Sequence, residues 1–131
     1  MTIQDTLTKY LVGRRIATVT DNGTLTLDDG TVLELYESEH DCCAGASGEW
    51  EILDPDRLEA AITHVEYKSD SFEGGGTRGR TCEITILHNQ NTIALGAGYA
   101  DAGNDGYYFS TLSLEVTVDG TTVYDDEIIS A

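Results

Sequence analysis

The stretch Tyr99–Val118, YADAGNDGYYFSTLSLEVTV, contains the clearest fold signal in the chain. In its second half, single polar residues separate Leu112, Leu114 and Val116. An apolar residue at every second position is typical of a half-buried strand that turns one face to the core. The first half is a polar loop followed by three aromatic residues. The stretch therefore predicts a loop that leads into a long strand, with Tyr108 on the core side of that strand.

Strand signals of the same period recur on both sides of this stretch. The turn pairs Asn22-Gly23, Asp29-Gly30 and Asp119-Gly120 favour hairpins, because tight hairpin turns need positive φ angles. The predicted strands are Ile16–Thr20, Thr24–Leu27, Val32–Tyr36, Ile62–Lys68, Arg80–His88, Asn91–Tyr99 and a last one through Val123 and Tyr124.

The remaining segments predict short helices and loops. Residues 3–12 place apolar side chains on one helical stripe that Gly13 ends, and the Asp-Pro-Asp run at 54–56 predicts a second short helix over about 55–61. Residues 37–50 predict a long surface loop, and residues 69–79 predict a flexible hairpin arm. We expect a single domain over residues 1–131. Its fold class is mainly β (α+β), with an antiparallel curled or layered sheet of about eight strands.

The charge of the chain is strongly negative. Twenty-four acidic residues face seven basic ones, which gives a net charge of −17. Such a surface repels phosphate groups, so we expect binding neither to nucleic acid nor to anionic membranes. A solvated acidic surface, a face that docks on a basic partner or imitates DNA, and cation binding all remain open as reasons for the charge.

Three features predict a soluble protein of the cytoplasm. The chain has no run of about 20 apolar residues that could span a membrane. Its first 15 residues, MTIQDTLTKYLVGRR, lack the apolar core of a secretory signal. Its three cysteines are an odd number, which fits a reducing compartment better than a disulfide framework.

The loop before the long strand is the first candidate ligand site. Its polar side chains are Asp101, Asn104 and Asp105, and strand parity places Tyr107 and Phe109 together on the face away from the core. Aromatic rings can stack on a ligand beside the polar groups. The loop also has oxygen ligands at the first and fifth positions of a calcium loop. It lacks the final glutamate and the flanking helices, so a β-turn is favoured over a calcium site.

The glycine-rich arm is the second candidate. Arg78 and Arg80 follow three consecutive glycines and could contact a phosphate or carboxylate. The segment matches neither the P-loop nor the dinucleotide fingerprint, so a hairpin tip without a ligand is the alternative.

The tandem cysteines are the third candidate. Thiolate and imidazole suit zinc, but no Cys-x-x-Cys pair is present, adjacent cysteines point in different directions, and Cys82 shares its strand face with core residues. We therefore expect no metal and no cofactor. The competing hypotheses are a structural zinc site or a metal-dependent enzyme. Their potential ligands are His40, Asp41, Cys42, Cys43, Cys82 and His88.

Four segments together resemble a family of small domains of unknown function from actinobacteria and their bacteriophages. They are GRRI at 13–16, LTLDDGTVLEL at 25–35, HDCC at 40–43 and NDGYYF at 104–109. In the relatives the cysteine pair is of a Ser-Cys-Cys-Glu type, and the late segment contains histidines that this chain lacks. The resemblance implies an accessory protein that acts inside the host cell, and it supplies no catalytic residues.

These observations favour a binding protein over an enzyme. The main hypothesis is a phage-encoded module that modulates host physiology or defence, either by docking on a host protein or by sequestering a small polar, nucleotide-like ligand. A homo-oligomer is compatible with the second version. A metal-dependent enzyme and a virion component are the alternatives.

Overall fold

A computed structural model describes residues 2–20, 23–103 and 106–131. Within these residues the chain forms one α-helix, nine β-strands and one 3-10 turn over Pro55–Arg57. The elements, in order, are α1 (Ile3–Leu11), β1 (Ile16–Val19), β2 (Thr24–Leu27), β3 (Val32–His40), β4 (Ala46–Ile52), β5 (His64–Gly74), β6 (Thr77–His88), β7 (Asn91–Asp101), β8 (Ser110–Val118) and β9 (Thr121–Ser130).

The strands form two antiparallel sheets that pack face to face. Five strands in the order β1-β2-β3-β8-β9 make the first sheet, and four in the order β4-β7-β6-β5 make the second. The predicted fold class, mainly β with layered antiparallel strands, is confirmed. No helix in the described part of the chain is long and apolar enough to cross a membrane.

The predicted long loop at 37–50 was wrong in its extent. Strand β3 continues to His40, which pairs with Ser110, and β4 begins at Ala46. The strand signal was missed because the first two inward residues of β4, Ala46 and Gly48, are small, and only Trp50 and Ile52 after them are large. A Cβ atom on Gly48 would lie 2.7 Å from the Cβ of Leu35 on the opposite sheet. Glycine therefore stands at a position where the two sheets approach closely, and the alternation of large apolar residues is interrupted there.

Two other predicted segments also differ in the structure. The second helix is a single 3-10 turn, Pro55–Arg57, and does not extend to residue 61. The arm at 69–79 is a regular hairpin, paired residue by residue out to Gly74 and Thr77. Gly75 and Gly76 have φ angles of +61° and +83° and close it as a two-residue turn.

Strand β8 lies at the centre of the core, as its alternation predicts. Leu112, Leu114 and Val116 are fully buried between the sheets. On the other face of β8, Ser113 is 4% exposed and its hydroxyl lies 2.7 Å from that of Ser38, whereas Glu115 and Thr117 are partly exposed. Both edges of β8 are hydrogen-bonded, because it runs between β3 and β9.

Helix α1 covers one edge of the second sheet. Thr2 caps its first turn, and Leu7 and Leu11 are buried on its inner stripe. The Gln4 amide donates to the Val65 carbonyl at 2.6 Å and accepts from the Tyr67 N–H at 2.8 Å. These two groups belong to the free side of edge strand β5, so a helix side chain occupies the place of a neighbouring strand.

Candidate functional site

Two loops meet at one end of the two-sheet structure. The turn between β3 and β4 contributes the tandem cysteines, and the segment between β7 and β8 contributes the aromatic residues. The Asp41 N–H donates to the Phe109 carbonyl at 2.9 Å, and the Tyr108 N–H donates to the Ala102 carbonyl at 2.7 Å. We call the combined surface of Cys42, Cys43, Tyr107, Tyr108 and Phe109 the aromatic–cysteine surface.

Asp101 joins the two loops. Its backbone N–H donates to the Gly45 carbonyl at 2.9 Å, and its Oδ1 accepts from the N–H groups of Gly45 and Gly103 at 3.0 and 3.1 Å. The Ser110 hydroxyl lies 3.0 Å from the Gly45 carbonyl and 2.7 Å from that of Asp101. The Asp101 carboxylate, predicted as a ligand group, thus positions both loops by charge-assisted hydrogen bonds.

The cysteine turn is tightly folded. Cys43 has a φ angle of +82°, which is uncommon for a residue with a side chain. The sulfur atoms of Cys42 and Cys43 lie 2.8 Å apart, although adjacent side chains were expected to point in different directions. Gly103 makes the close approach of the loops possible, because a Cβ atom there would lie 2.5 Å from the Cys43 carbonyl oxygen.

The aromatic residues stand at the rim of this turn. Tyr107 is 83% exposed, the largest value among the large apolar side chains of the described residues, and Phe109 is 41% exposed. The rings of Tyr107 and Tyr108 meet edge to face with centroids 5.5 Å apart. The pKa of Tyr108 is raised by the charges of Cys43 and Cys42 and also by a hydrogen bond to Cys43. Tyr108 was predicted on the core side, yet it contacts the cysteine turn.

The structure brings Arg78 to this end of the molecule. Its carbonyl accepts from the Ala102 N–H at 2.8 Å, and its side chain passes about 3.4 Å from the position of a Cβ on Gly106. Arg78 lines a groove of about 510 Å³ together with Glu73, Gly74, Gly76, Thr77 and Gly106. Arg80 lies two residues further along β6, where it donates to the Ser69 hydroxyl at 3.1 Å. Asn104 and Asp105, the remaining predicted ligand residues, lie outside the described residues.

The candidate metal ligands do not come together. His40 lies 3.1 Å from Glu37, and His88 contacts the Ala61 carbonyl at 2.7 Å. Gly79 of strand β6 pairs with Asp101, which joins the two loops of the site. His88, the last residue of β6, lies nine positions further along, and nine residues of an extended strand span about 30 Å. His88 is therefore far from the cysteine turn. Across residues 2–20, 23–103 and 106–131, no group of three or more His, Cys, Asp or Glu side chains could hold a metal ion.

Cys82 is separate from the cysteine turn. It is 4% exposed within the core, and burial raises the pKa of its thiol to about 11. The prediction from strand parity, a small core residue beside Ile84 and Ile86, is thereby confirmed. A thiol that stays neutral up to such a pH is neither a ready metal ligand nor a nucleophile.

Sequence reasoning missed a second groove, of about 510 Å³, on the outer face of the four-stranded sheet. Tyr99, 43% exposed, borders it, and Lys68 and Glu83 meet across it at 3.7 Å. The sequence does contain a signal for this groove, because the residues that alternate with the core positions of β6 and β7 are polar or small. Without the order of the strands, these positions could not be assigned to one concave face.

The fold and the site define a small two-sheet β domain with an exposed aromatic and thiol surface at one end. The chain belongs to a family of domains of unknown function, DUF7448, whose sequence profile matches residues 9–114. This range includes the four segments that carry the expected resemblance to a family of unknown function. No curated protein and no solved structure shows significant similarity to the chain.

Proposed function

We propose that the protein is a non-catalytic binding module that docks on a basic protein through the aromatic–cysteine surface. One observation carries the proposal: Tyr107 is 83% exposed beside the exposed Phe109, on a segment that backbone hydrogen bonds hold from both sides. Exposed aromatic side chains on a preorganised segment are the residue type that dominates binding energies at protein interfaces.

The charge around this surface supports a basic partner. Glu39 is exposed, and Asp41 lies next to the cysteine pair in a chain of net charge −17. Opposite charge on a partner would speed association and exclude other acidic proteins. In agreement with the resemblance, we propose that the module is phage-encoded. Its partner would be a host protein of the cytoplasm, and binding would modulate host physiology or defence.

The test compares Tyr107→Ala with Val123→Ala. Val123 is 43% exposed on β9, so both variants shorten an exposed apolar side chain. A basic protein retained by the tagged wild type from an actinobacterial lysate should also be retained by Val123→Ala. Its affinity for Tyr107→Ala should be about 30-fold lower, the effect of a central aromatic contact.

Added salt provides a second readout of the same complex. Its dissociation constant should rise steeply with ionic strength, because screening weakens attraction between exposed charges. Equal retention by all three proteins, or a complex that is insensitive to salt, would contradict docking through this surface.

The groove beside Arg78 favours a second candidate function, sequestration of a small polar, nucleotide-like ligand. Arg78 could contact a phosphate, and Tyr107 could stack on a base. Native mass spectrometry of protein from infected cells should then retain a small bound molecule that Arg78→Ala loses. Arg57→Ala is the matched control, since Arg57 pairs with Asp54 in the 3-10 turn. Wild-type protein without a bound molecule would reject this candidate.

A further inference from the structure

Cys42 and Cys43 form a pair of adjacent free thiols whose sulfur atoms converge. The Sγ atoms lie 2.8 Å apart, and a disulfide bond would bring them to about 2.05 Å. Both cysteines are exposed, so a small molecule can reach either sulfur. The third cysteine, Cys82, is buried in the core and cannot compete for either of them.

The turn is held on both sides. Glu37 Oε2 accepts from the Ala46 N–H at 2.8 Å, and Asp101 Oδ1 accepts from the Gly45 N–H at 3.0 Å. On the other side, Asp41 donates its N–H to Phe109. These contacts involve no cysteine side chain, so formation of a bond between the two sulfurs uses none of their donors or acceptors.

We propose that the Cys42–Cys43 turn is a site of reversible thiol–disulfide exchange that takes a small-molecule disulfide as its co-substrate. In the first step, the Cys43 thiolate attacks one sulfur of the small disulfide. The old S–S bond breaks, and one small thiolate leaves and takes up a proton. In the second step, Cys42 loses its proton to solvent and attacks Cys43 Sγ, which expels the second small thiolate, and this thiolate also takes up a proton from solvent. The protein dithiol is oxidised by two electrons, and the small disulfide is reduced to two thiols.

The two sulfurs are close enough for one cysteine to resolve a mixed disulfide on the other. Cys42 Sγ lies 2.8 Å from Cys43 Sγ, within reach of a mixed disulfide formed on Cys43. The pKa of Cys42 is raised by its hydrogen bond to Cys43 and by the charge of Cys43, and the pKa of Tyr108 is raised chiefly by the charges of Cys43 and Cys42. The Cys42→Ser variant removes the resolving thiol and so tests this step.

The product should be easy to reduce. Cα atoms of adjacent residues lie about 3.8 Å apart, below the range of about 4.4 to 6.8 Å in ordinary disulfides. Strained and exposed disulfides are the labile ones, which suits a bond that opens again in a reducing compartment.

The experiment uses the full-length protein and oxidised glutathione, with mass spectrometry of the intact chain and of its peptides. Wild type and Cys82→Ser should both lose the mass of two hydrogen atoms, with the link inside one peptide that contains Cys42 and Cys43. Cys42→Ser should instead retain one glutathione on Cys43, since the resolving thiol is missing. Dithiothreitol should restore the starting mass in each case.

The measurement needs no binding partner, so it does not depend on the proposed function. Circular dichroism checks that the serine variants are folded. We expect this for Cys42→Ser because Cys42 is exposed, and for Cys82→Ser because serine differs from the buried cysteine by a single atom. Three outcomes would overturn the proposal: an unchanged mass for wild type, stable glutathione adducts on both cysteines, or disulfides that involve Cys82 or a second chain.

Discussion

Single carboxylates and hydroxyls hold the strands and loops of this protein in place. Asp101 joins the two loops of the candidate site, and Glu37 contacts both His40 and the Ala46 N–H at the cysteine turn. Tyr36 connects strands of the first sheet, because its side chain reaches from β3 across β8 to Asp125 on β9. An acidic chain thus uses some of its carboxylates as structural acceptors, and sequence alone could not separate these from the solvated ones.

Replacing Tyr36 by Phe should change how stability depends on pH. The Tyr36 hydroxyl donates to Asp125 Oδ1 at 2.5 Å, and this hydrogen bond, with burial and nearby carboxylates, raises the pKa of Tyr36 to about 12. An unfolded tyrosine titrates near pH 10. The stabilisation from Tyr36 is therefore complete below about pH 10 and is lost as the pH rises towards 12.

Urea unfolding at several pH values tests this expectation. At pH 7, Tyr36→Phe should be less stable than wild type by about 1 kcal/mol, the usual worth of a hydrogen bond. The difference should shrink between about pH 10 and pH 12. A difference that stays constant over this range would show that Tyr36 does not titrate as described.

At the scale of elements, the strands that sequence could predict are those with a plain alternation of apolar and polar residues. Strand β8 was predicted because Leu112 and its neighbours alternate without interruption. Strand β4 was missed because close approach of the sheets requires Gly48 where a strand signal would show a large apolar side chain. The contact between the two sheets therefore explains why the local sequence of β4 lacks the apolar alternation of a strand.

Gly48→Ala should destabilise the contact between the two sheets. The added methyl group would lie 2.7 Å from the Leu35 Cβ, which is tied to the backbone and cannot rotate away. Overpacking of this kind costs about 1 to 3 kcal/mol. Gly45→Ala is the matched control, since its Cβ would meet nothing closer than Glu37 Oε2 at 3.7 Å.

Chemical unfolding of the two variants provides the measurement. The free energy of unfolding should fall for Gly48→Ala and stay close to the wild-type value for Gly45→Ala. Equal losses in both variants would mean that overpacking of Gly48 against Leu35 is not the cause of the destabilisation.

The candidate site was predicted only in part, because some of its features depend on neighbouring residues and others on contacts between residues far apart in the chain. Its exposed aromatic residues follow from strand parity, which is local information. The meeting of Cys43 with Tyr108 depends on how β3 and β8 pair, and residues 65 positions apart give no periodic signal for that contact. The expectation that the two sulfurs point in different directions was wrong, because the left-handed backbone at Cys43 sets the shape of the turn.

At the scale of the whole molecule, the net charge of −17 opposes the folded state. The few ion pairs with arginine or lysine in the described residues, such as Arg14–Asp29 at 3.0 Å, lie at the surface and contribute little. Mutual repulsion of the carboxylates therefore acts across the whole surface and is greatest at low ionic strength.

Salt should raise the thermal stability of the protein. Increasing sodium chloride from about 0.02 to 0.3 M shortens the screening length from over 20 Å to below 8 Å, which weakens the repulsion. A gain of about 1 kcal/mol would raise the melting temperature by about 4 °C for a chain of this size. Differential scanning calorimetry measures the melting temperature at each salt concentration. A melting temperature that falls with added salt would contradict a net repulsion among the carboxylates.

The Gln4 side chain connects helix α1 to the free edge of the second sheet, so opening of the helix exposes that edge. If the first turn of α1 frays, the Val65 carbonyl and the Tyr67 N–H lose their partners, and β5 becomes a template on which a strand from another molecule can add. The amide of one glutamine thus protects this edge of the second sheet from pairing with another molecule, and local opening of the first helical turn would remove that protection.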